Sequence, residues 1–281
     1  MTEPAISSTN GGASLFDLTG RVALITGGAG LLGVQHALAI HRQGGIPVLA
    51  DLDETAAKAA ASRVGERAVG IRLDVTVPAS VEQACASLVG RFGKVHILIN
   101  NAARNPKVEA NPGGTQLGRF EDFDLNAWNL DVAVGLTGAI LCSRTFGGQM
   151  AASGGGVILN IASDLALIGP DQRLYEKPGL LPEQQPKKPV SYSVVKAGLL
   201  GLTRYLATYW AGKEVRANAI CPGGVEAGQP PEFLHRISQL IPLGRMAGAS
   251  EYHGAVVFLC SDASAYMTGS VISVDGGRTA W

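Results

Sequence analysis

Neither sign of charge is in excess. Lysine plus arginine number 23 and aspartate plus glutamate number 23, so the chain lacks the basic footprint of a nucleic-acid binder or of a protein held on an anionic membrane surface. Cysteine is scarce and scattered: Cys85, Cys142, Cys221 and Cys260 form no CxxC pair. No histidine cluster has ligand spacing either, so neither a metal site nor a disulfide framework is expected, and the four read as buried thiols of a reducing compartment. No run of eighteen apolar residues occurs, and the opening MTEPAISSTNGGAS has neither a basic nor an apolar signal region. The expectation is a soluble, cytoplasmic protein with a flexible tail over residues 1–14. Its partners are expected to be small molecules or copies of itself, with no nucleic acid and no membrane.

What the chain does have is apolar material, 46% of 281 residues, enough for a large core. No linker divides it, so residues 15–281 are expected to form one domain. Short Val/Ile/Leu runs (RVALIT, IPVLA, AVGIRLDV, VHILIN, GVILNIAS, EVRANAI, VISVDG) alternate with Ala/Leu-rich stretches of helical period. The helices are predicted near 31–43, 54–64, 79–91, 124–151, 192–211 and 250–260. Such alternation predicts an α/β fold, a doubly wound sheet of seven parallel strands with ligands at the strands' carboxyl ends. Two long stretches fit neither pattern, one after the fourth strand and one, at about 164–190, after the fifth. Loops of that length in a compact domain are more often functional than idle.

Between the first strand and the first helix lies TGGAGLLG. Gly28, Gly30 and Gly33 satisfy GxGxxG; Gly27, Gly30 and Gly33 satisfy TGxxGxxG. Either way the glycines let the backbone approach a pyrophosphate, and the helix beyond presents free N–H groups to it. Asp51, which ends the second strand, stands eighteen positions after Gly33, where a carboxylate binds adenosine ribose hydroxyls and repels the additional phosphate of NADP. NAD is therefore the expected cofactor. A solvated loop carboxylate is the alternative for Asp51.

Five further segments, NNAA from Asn100, NIAS ending in Ser163, YSVVK from Tyr192, CPGG with Pro222 and Gly223, and VDGG, complete a resemblance to the short-chain dehydrogenase/reductase family, in order and over nearly the whole chain. The resemblance implies a single Rossmann-type domain, a nicotinamide cofactor, and hydride transfer between a carbinol and a carbonyl. It also implies cofactor contacts from Thr26, Gly27, Gly28, Gly30, Leu31, Leu32, Gly33, Asp51 and Leu52, then from Asp74, Val75, Asn101, Ala102 and Ala103, and finally from Tyr192, Lys196, Pro222, Gly223 and Val225. The TGxxGxxG spacing is typical of a longer branch with a C-terminal nucleotide-sugar domain, which is not expected here because Trp281 follows soon after the seventh strand. The sequence also looks like a subgroup linked to bacterial surface-sugar and flagellin-glycan modification.

Tyr192 and Lys196, four apart, share one face of a helix. A neighbouring ammonium is expected to lower the phenol's pKa, making Tyr192 the general acid/base. The resemblance implies that Lys196 holds the nicotinamide ribose and that Ser163 hydrogen-bonds the substrate oxygen. Three departures qualify it. Gly135 stands where a relay asparagine is usual, leaving room for a water; Asp131 is one turn earlier. Ala227 replaces a threonine that contacts the carboxamide, leaving Val225. The separation of Ser163 from Tyr192, 29 positions, marks 164–190 as an insertion, whose Asp171, Gln172, Arg173, Tyr175 and Lys177 are candidates for contacting a polar, hydroxyl-rich or phosphorylated substrate, Arg173 and Tyr175 foremost.

The function expected is an NAD-dependent oxidoreductase of a secondary alcohol or ketone, on a sugar, sugar nucleotide or polyol, assembled as a homodimer or homotetramer. Two alternatives stand beside it: a dinucleotide-binding sensor or scaffold without turnover, and an epimerase or dehydratase that regenerates NAD.

Overall fold

A computed structural model describes residues 14–105, 108 and 118–281. The expected tail, all but its last residue, and part of the long stretch after the fourth strand lie outside the described residues.

Seven parallel strands form one sheet: β1 (Val22–Thr26), β2 (Ile46–Asp51), β3 (Val69–Arg72), β4 (Ile97–Asn100), β5 (Gly156–Ile161), β6 (Val215–Pro222) and β7 (Val271–Val274). Their spatial order is β3-β2-β1-β4-β5-β6-β7. The order reverses between β1 and β4, which pair through Ala23 with Ile97 and Ile25 with Ile99. That reversal opens a crevice above the carboxyl ends of β1 and β4, where an open α/β sheet receives its ligand.

Both faces of the sheet are covered, which is why its strands read as continuous apolar runs. Val22 and Leu24 of β1 face one core with Cys142, Phe146, Met150 and Leu206. Ala23 and Ile25 face the other with Ala37, Ile40, Ala60 and Leu259. The first core is closed by the helices Pro78–Phe92, Leu125–Ala152 and Val190–Tyr209, the second by Leu31–Arg42, Glu54–Val64 and His253–Cys260.

Leu125–Ala152 is long and apolar enough to cross a membrane by composition, with mean hydropathy 1.3. Its Cys142, Phe146 and Met150 are fully buried against the sheet, so one face of it packs on the core. It contains two π turns, Ala133–Thr137 and Ser143–Gly147, an arrangement that recurs near functional sites.

A helix the sequence pattern did not predict, Pro231–Ser238, follows β6. Its Ile237 joins Ile241, Met246 and Leu174 in a small separate core. Leu174 belongs to the 164–190 segment, so this cluster anchors the insertion to the body of the domain.

Candidate active site

The glycine turn resolves in favour of TGxxGxxG. Gly27 has φ +61, and a Cβ on it would meet the Ala102 Cα at 2.9 Å. Gly27 is thus the tight-turn glycine, not Gly28, which packs on the Leu49 Cα of β2. Gly33 faces the Gly27 carbonyl too closely for any side chain, bringing helix against turn. Gly30 is the least crowded of the four, a Cβ on it meeting only the Gly27 carbonyl, at a tight 3.3 Å. The helix that starts at Leu31 has no side-chain cap and no acidic residue in its first turn, leaving its N–H groups and positive dipole end available to an anion.

Around this turn, Asp51 lies where a ribose-binding carboxylate belongs, accepting from the Ala29 N–H at 3.1 Å. Leu52 beside it is exposed. Asp74 accepts from the Thr76 N–H and hydroxyl at 2.9 and 2.6 Å, bonds that hold its carboxyl below the usual range. Val75 is buried against Gly138. Asn101 donates to the Thr26 and Gly27 carbonyls at 2.9 and 3.1 Å, and the Thr26 hydroxyl accepts from the Asn101 and Ala102 N–H groups, each at 3.0 Å. These two residues therefore tie β1 to β4 and hold the turn in shape; Ala103 beyond them is exposed. These features fit a dinucleotide: uncapped N–H groups, a bare Gly30 and a carboxylate at the end of β2.

The second half of the crevice follows β5 and β6. Lys196, buried on the Val190–Tyr209 helix, donates to the Ile161 carbonyl at 2.7 Å. Its ammonium lies 5.9 Å from the centre of the Tyr192 ring, so one helical turn carries both to the end of β5, beside Ser163. Burial pushes the Lys196 ammonium down to about 8. The Tyr192 phenol moves the opposite way from the sequence expectation. Burial raises it, the Ser163 hydroxyl opposes the rise, and the Asp164 carboxylate adds to it. Desolvation dominates because burial disfavours the charged phenolate.

Gly135 also departs from expectation. A Cβ there would meet Val195 Cγ1 at 2.5 Å, so Val195 fills the place assigned to a water, and the glycine is what lets two helices meet. Asp131, one turn earlier, is occupied: it accepts from Arg104 at 3.0 Å and from the Ser191 hydroxyl at 2.5 Å.

After β6, the Gly223 N–H donates to the Val274 carbonyl at 2.9 Å. Pro222 ends β6, and the Val225 carbonyl accepts from Gln229 at 2.8 Å. The same Gln229 accepts from the Ala227 N–H at 2.7 Å. The loop that lost its threonine is thus braced from within.

In the insertion, Arg173 does not reach the crevice. Its side chain is 80% exposed and bound by Asp171 two residues earlier, at 2.7 Å, a local pairing that competes with any inward contact. Lys177 is exposed as well. Tyr175 is brought in: its ring lies 5.9 Å from that of Phe233, and burial raises its phenol to about 12 with Arg278, Asp164 and Tyr192 all acting on it.

Three residues escaped the sequence reading. Asp164 accepts the Ser163 hydroxyl proton at 2.8 Å and pairs with Arg278 at 3.0 Å, both side chains buried. Lys188 sits 4.1 Å above the centre of the Tyr192 ring. Asp164 adjoins the NIAS motif and could have been read from it. Arg278 is 114 positions away along the chain, and no local pattern announces that pairing.

The family model described as short chain dehydrogenase matches residues 21–175, and one described as Enoyl-(Acyl carrier protein) reductase matches 183–279. Among curated relatives, the D-threitol dehydrogenase of Mycolicibacterium smegmatis is 33% identical over 94% of this chain and 95% of its own. The NAD-dependent glycerol dehydrogenase of Listeria innocua is 30% identical over 94% and 96%. Among solved structures, a gluconate 5-dehydrogenase from Burkholderia cenocepacia in complex with NADP and tartrate superposes with a TM-score of 0.82 at 27% identity, covering 95% of this chain and 98% of that one.

Proposed function

The chain belongs to the short-chain dehydrogenase/reductase family and is an oxidoreductase of CH–OH groups, and from that premise we propose that it interconverts a secondary alcohol and a ketone of a polyol or sugar derivative, with NAD as its cofactor. The observation that carries this reading is the convergence of Ser163, Tyr192 and Lys196 at the end of β5, across the crevice from the uncapped helix after the glycine turn.

When bound, the cofactor supplies a hydride acceptor or donor. The residues of this chain supply the rest. Tyr192 takes the carbinol proton during oxidation and returns it during reduction. Ser163 fixes the substrate oxygen against the phenol, and Asp164 fixes Ser163. Lys196, anchored on the Ile161 carbonyl, holds the nicotinamide ribose. Asp51 supports NAD over NADP, since its carboxylate stands where the additional phosphate would go.

The name of the Listeria relative agrees with NAD, whereas the Burkholderia neighbour binds NADP. Affinity measurements for the two cofactors decide the matter. Stoichiometric NADH formation with polyols would separate net oxidation from an epimerase or dehydratase cycle that regenerates NAD. Self-association is supported by exposed apolar side chains on two neighbouring helices, Leu130 and Ile140 on one and Val194, Tyr205 and Tyr209 on the other.

A further inference from the structure

Charges in the substrate half of the crevice do not cancel. Asp131 is matched by Arg104 and Asp164 by Arg278, each at 3.0 Å. Lys196 and Lys188 then remain as ammonium groups without a carboxylate partner among the described residues. Lys196 has its place in the reaction already. Lys188 has none.

Several contacts hold Lys188 where it is. Its N–H donates to the Gln172 side chain at 2.8 Å, its ammonium donates to the Asn105 side-chain oxygen at 2.7 Å, and the same ammonium lies over the Tyr192 ring. Pro189 follows, and the catalytic helix begins at Val190, so the last residues of the insertion form a strap leading into that helix. A cleft of about 410 Å³ opens beside it, lined by Arg119, Pro170, Gln172, Lys187, Lys188 and Ser193 among others. The Ser193 hydroxyl is buried and has no partner among the described residues. Glu121 also lines the cleft and is matched by Arg119 at 3.5 Å, with Asp122 at 3.8 Å from the same guanidinium, which leaves Lys187 and Lys188 as the lining cations without a carboxylate partner among the described residues.

A half-buried ammonium that meets, among the described residues, only a neutral amide oxygen and the face of a phenol ring gains from an anion, because a charge-assisted bond there is stronger than one to a neutral acceptor. Resting on the dehydrogenase reading above, we propose that Lys188 is a specificity residue that binds a carboxylate of the substrate, so that the preferred substrates are hydroxy acids, with the carboxylate close to the carbinol that Tyr192 serves. A neutral polyol would fill the same crevice but leave Lys188 on Asn105.

The test compares hydroxy acids (lactate, glycerate, tartrate) with their amides and with glycerol 1-phosphate, by titration calorimetry and by turnover with nicotinamide cofactor, on the full chain at pH 7. The acids should bind more tightly than their amides by about tenfold or more, the range of a charge-assisted hydrogen bond. Lys188→Gln should bring that ratio to within about threefold of unity, and Lys188→Arg should retain most of it, with circular dichroism showing both variants folded. Equal binding of acids and amides by the wild type, or an undiminished ratio in Lys188→Gln, overturns the proposal. Tighter binding of glycerol 1-phosphate than of glycerate overturns the carboxylate assignment. Turnover of neutral polyols alone would defeat this inference and leave the dehydrogenase reading standing, whereas carboxylate binding with no turnover of any alcohol would leave the binding site standing and defeat that reading.

Discussion

The Arg278 guanidinium donates to the Asp164 carboxylate across 3.0 Å, with both side chains almost wholly buried. The other oxygen of Asp164 accepts from the Ser163 hydroxyl, so the C-terminal segment reaches the reacting centre through two bonds. Asp275 fixes that segment, accepting from the Gly277 and Thr279 N–H groups at 3.0 and 2.9 Å. Removing one partner strands a buried charge. Arg278→Met is expected to lower unfolding free energy by about 3–5 kcal/mol. The double variant Asp164→Leu with Arg278→Met should lose less than Arg278→Met alone, as urea denaturation would show.

Gly135 permits a second test. Installing the relay amide, Gly135→Asn, should not improve turnover, because the new Cβ collides with Val195. Overpacking of this kind costs about 1–3 kcal/mol. Adding Val195→Ala should restore much of the loss, and a denaturation midpoint measured for each of the three proteins reads both effects.

Much of this architecture was legible in the chain. The seven strands, and the helix Glu54–Val64 to the residue, follow from apolar runs and their period, because a sheet covered on both faces leaves a strong pattern. Gly27 was harder: two glycine spacings fit the same eight letters, and only the positive φ distinguishes them. Pro231–Ser238 was missed because its apolar residues serve a small local core, not the sheet. The contact made across the fold, Arg278 to Asp164, leaves no trace in neighbouring letters, whereas Lys188 stands only four residues before Tyr192 and was passed over because it lies outside the YSVVK motif. The direction of the Tyr192 shift depends on burial, which spacing does not report.

Asp51 gives a prediction on cofactor choice. Asp51→Asn removes the charge while keeping an acceptor for the Ala29 N–H. NAD affinity should fall by about tenfold, as for the loss of one charge-assisted bond, while NADP affinity rises relative to it. Fluorescence titration with both cofactors measures the ratio; an unchanged ratio would remove Asp51 from that role.

One buried and one half-buried lysine make stability depend on pH. Lys196 and Lys188 are each pushed down to about 8 by burial, with Asp164 and Asp131 holding Lys188 up against it. Between about 8 and the ordinary lysine value near 10.5, the folded chain has released these protons and the unfolded chain still binds them. The unfolded state then carries more protons, so these groups make stability rise with pH across that window. Thermal midpoints from pH 7.5 to 9.5 should show the rise, and Lys196→Met should flatten it.

Proton transfer by Tyr192 is the centre of the account. The decisive measurement is the rate of absorbance change at 340 nm with NAD and a panel of polyols and hydroxy acids, for the wild type and Tyr192→Phe side by side. The account predicts turnover by the wild type and a loss of about 10²–10⁴-fold in the variant, the usual contribution of a general acid/base, with cofactor binding retained. Equal turnover by the two proteins would contradict it.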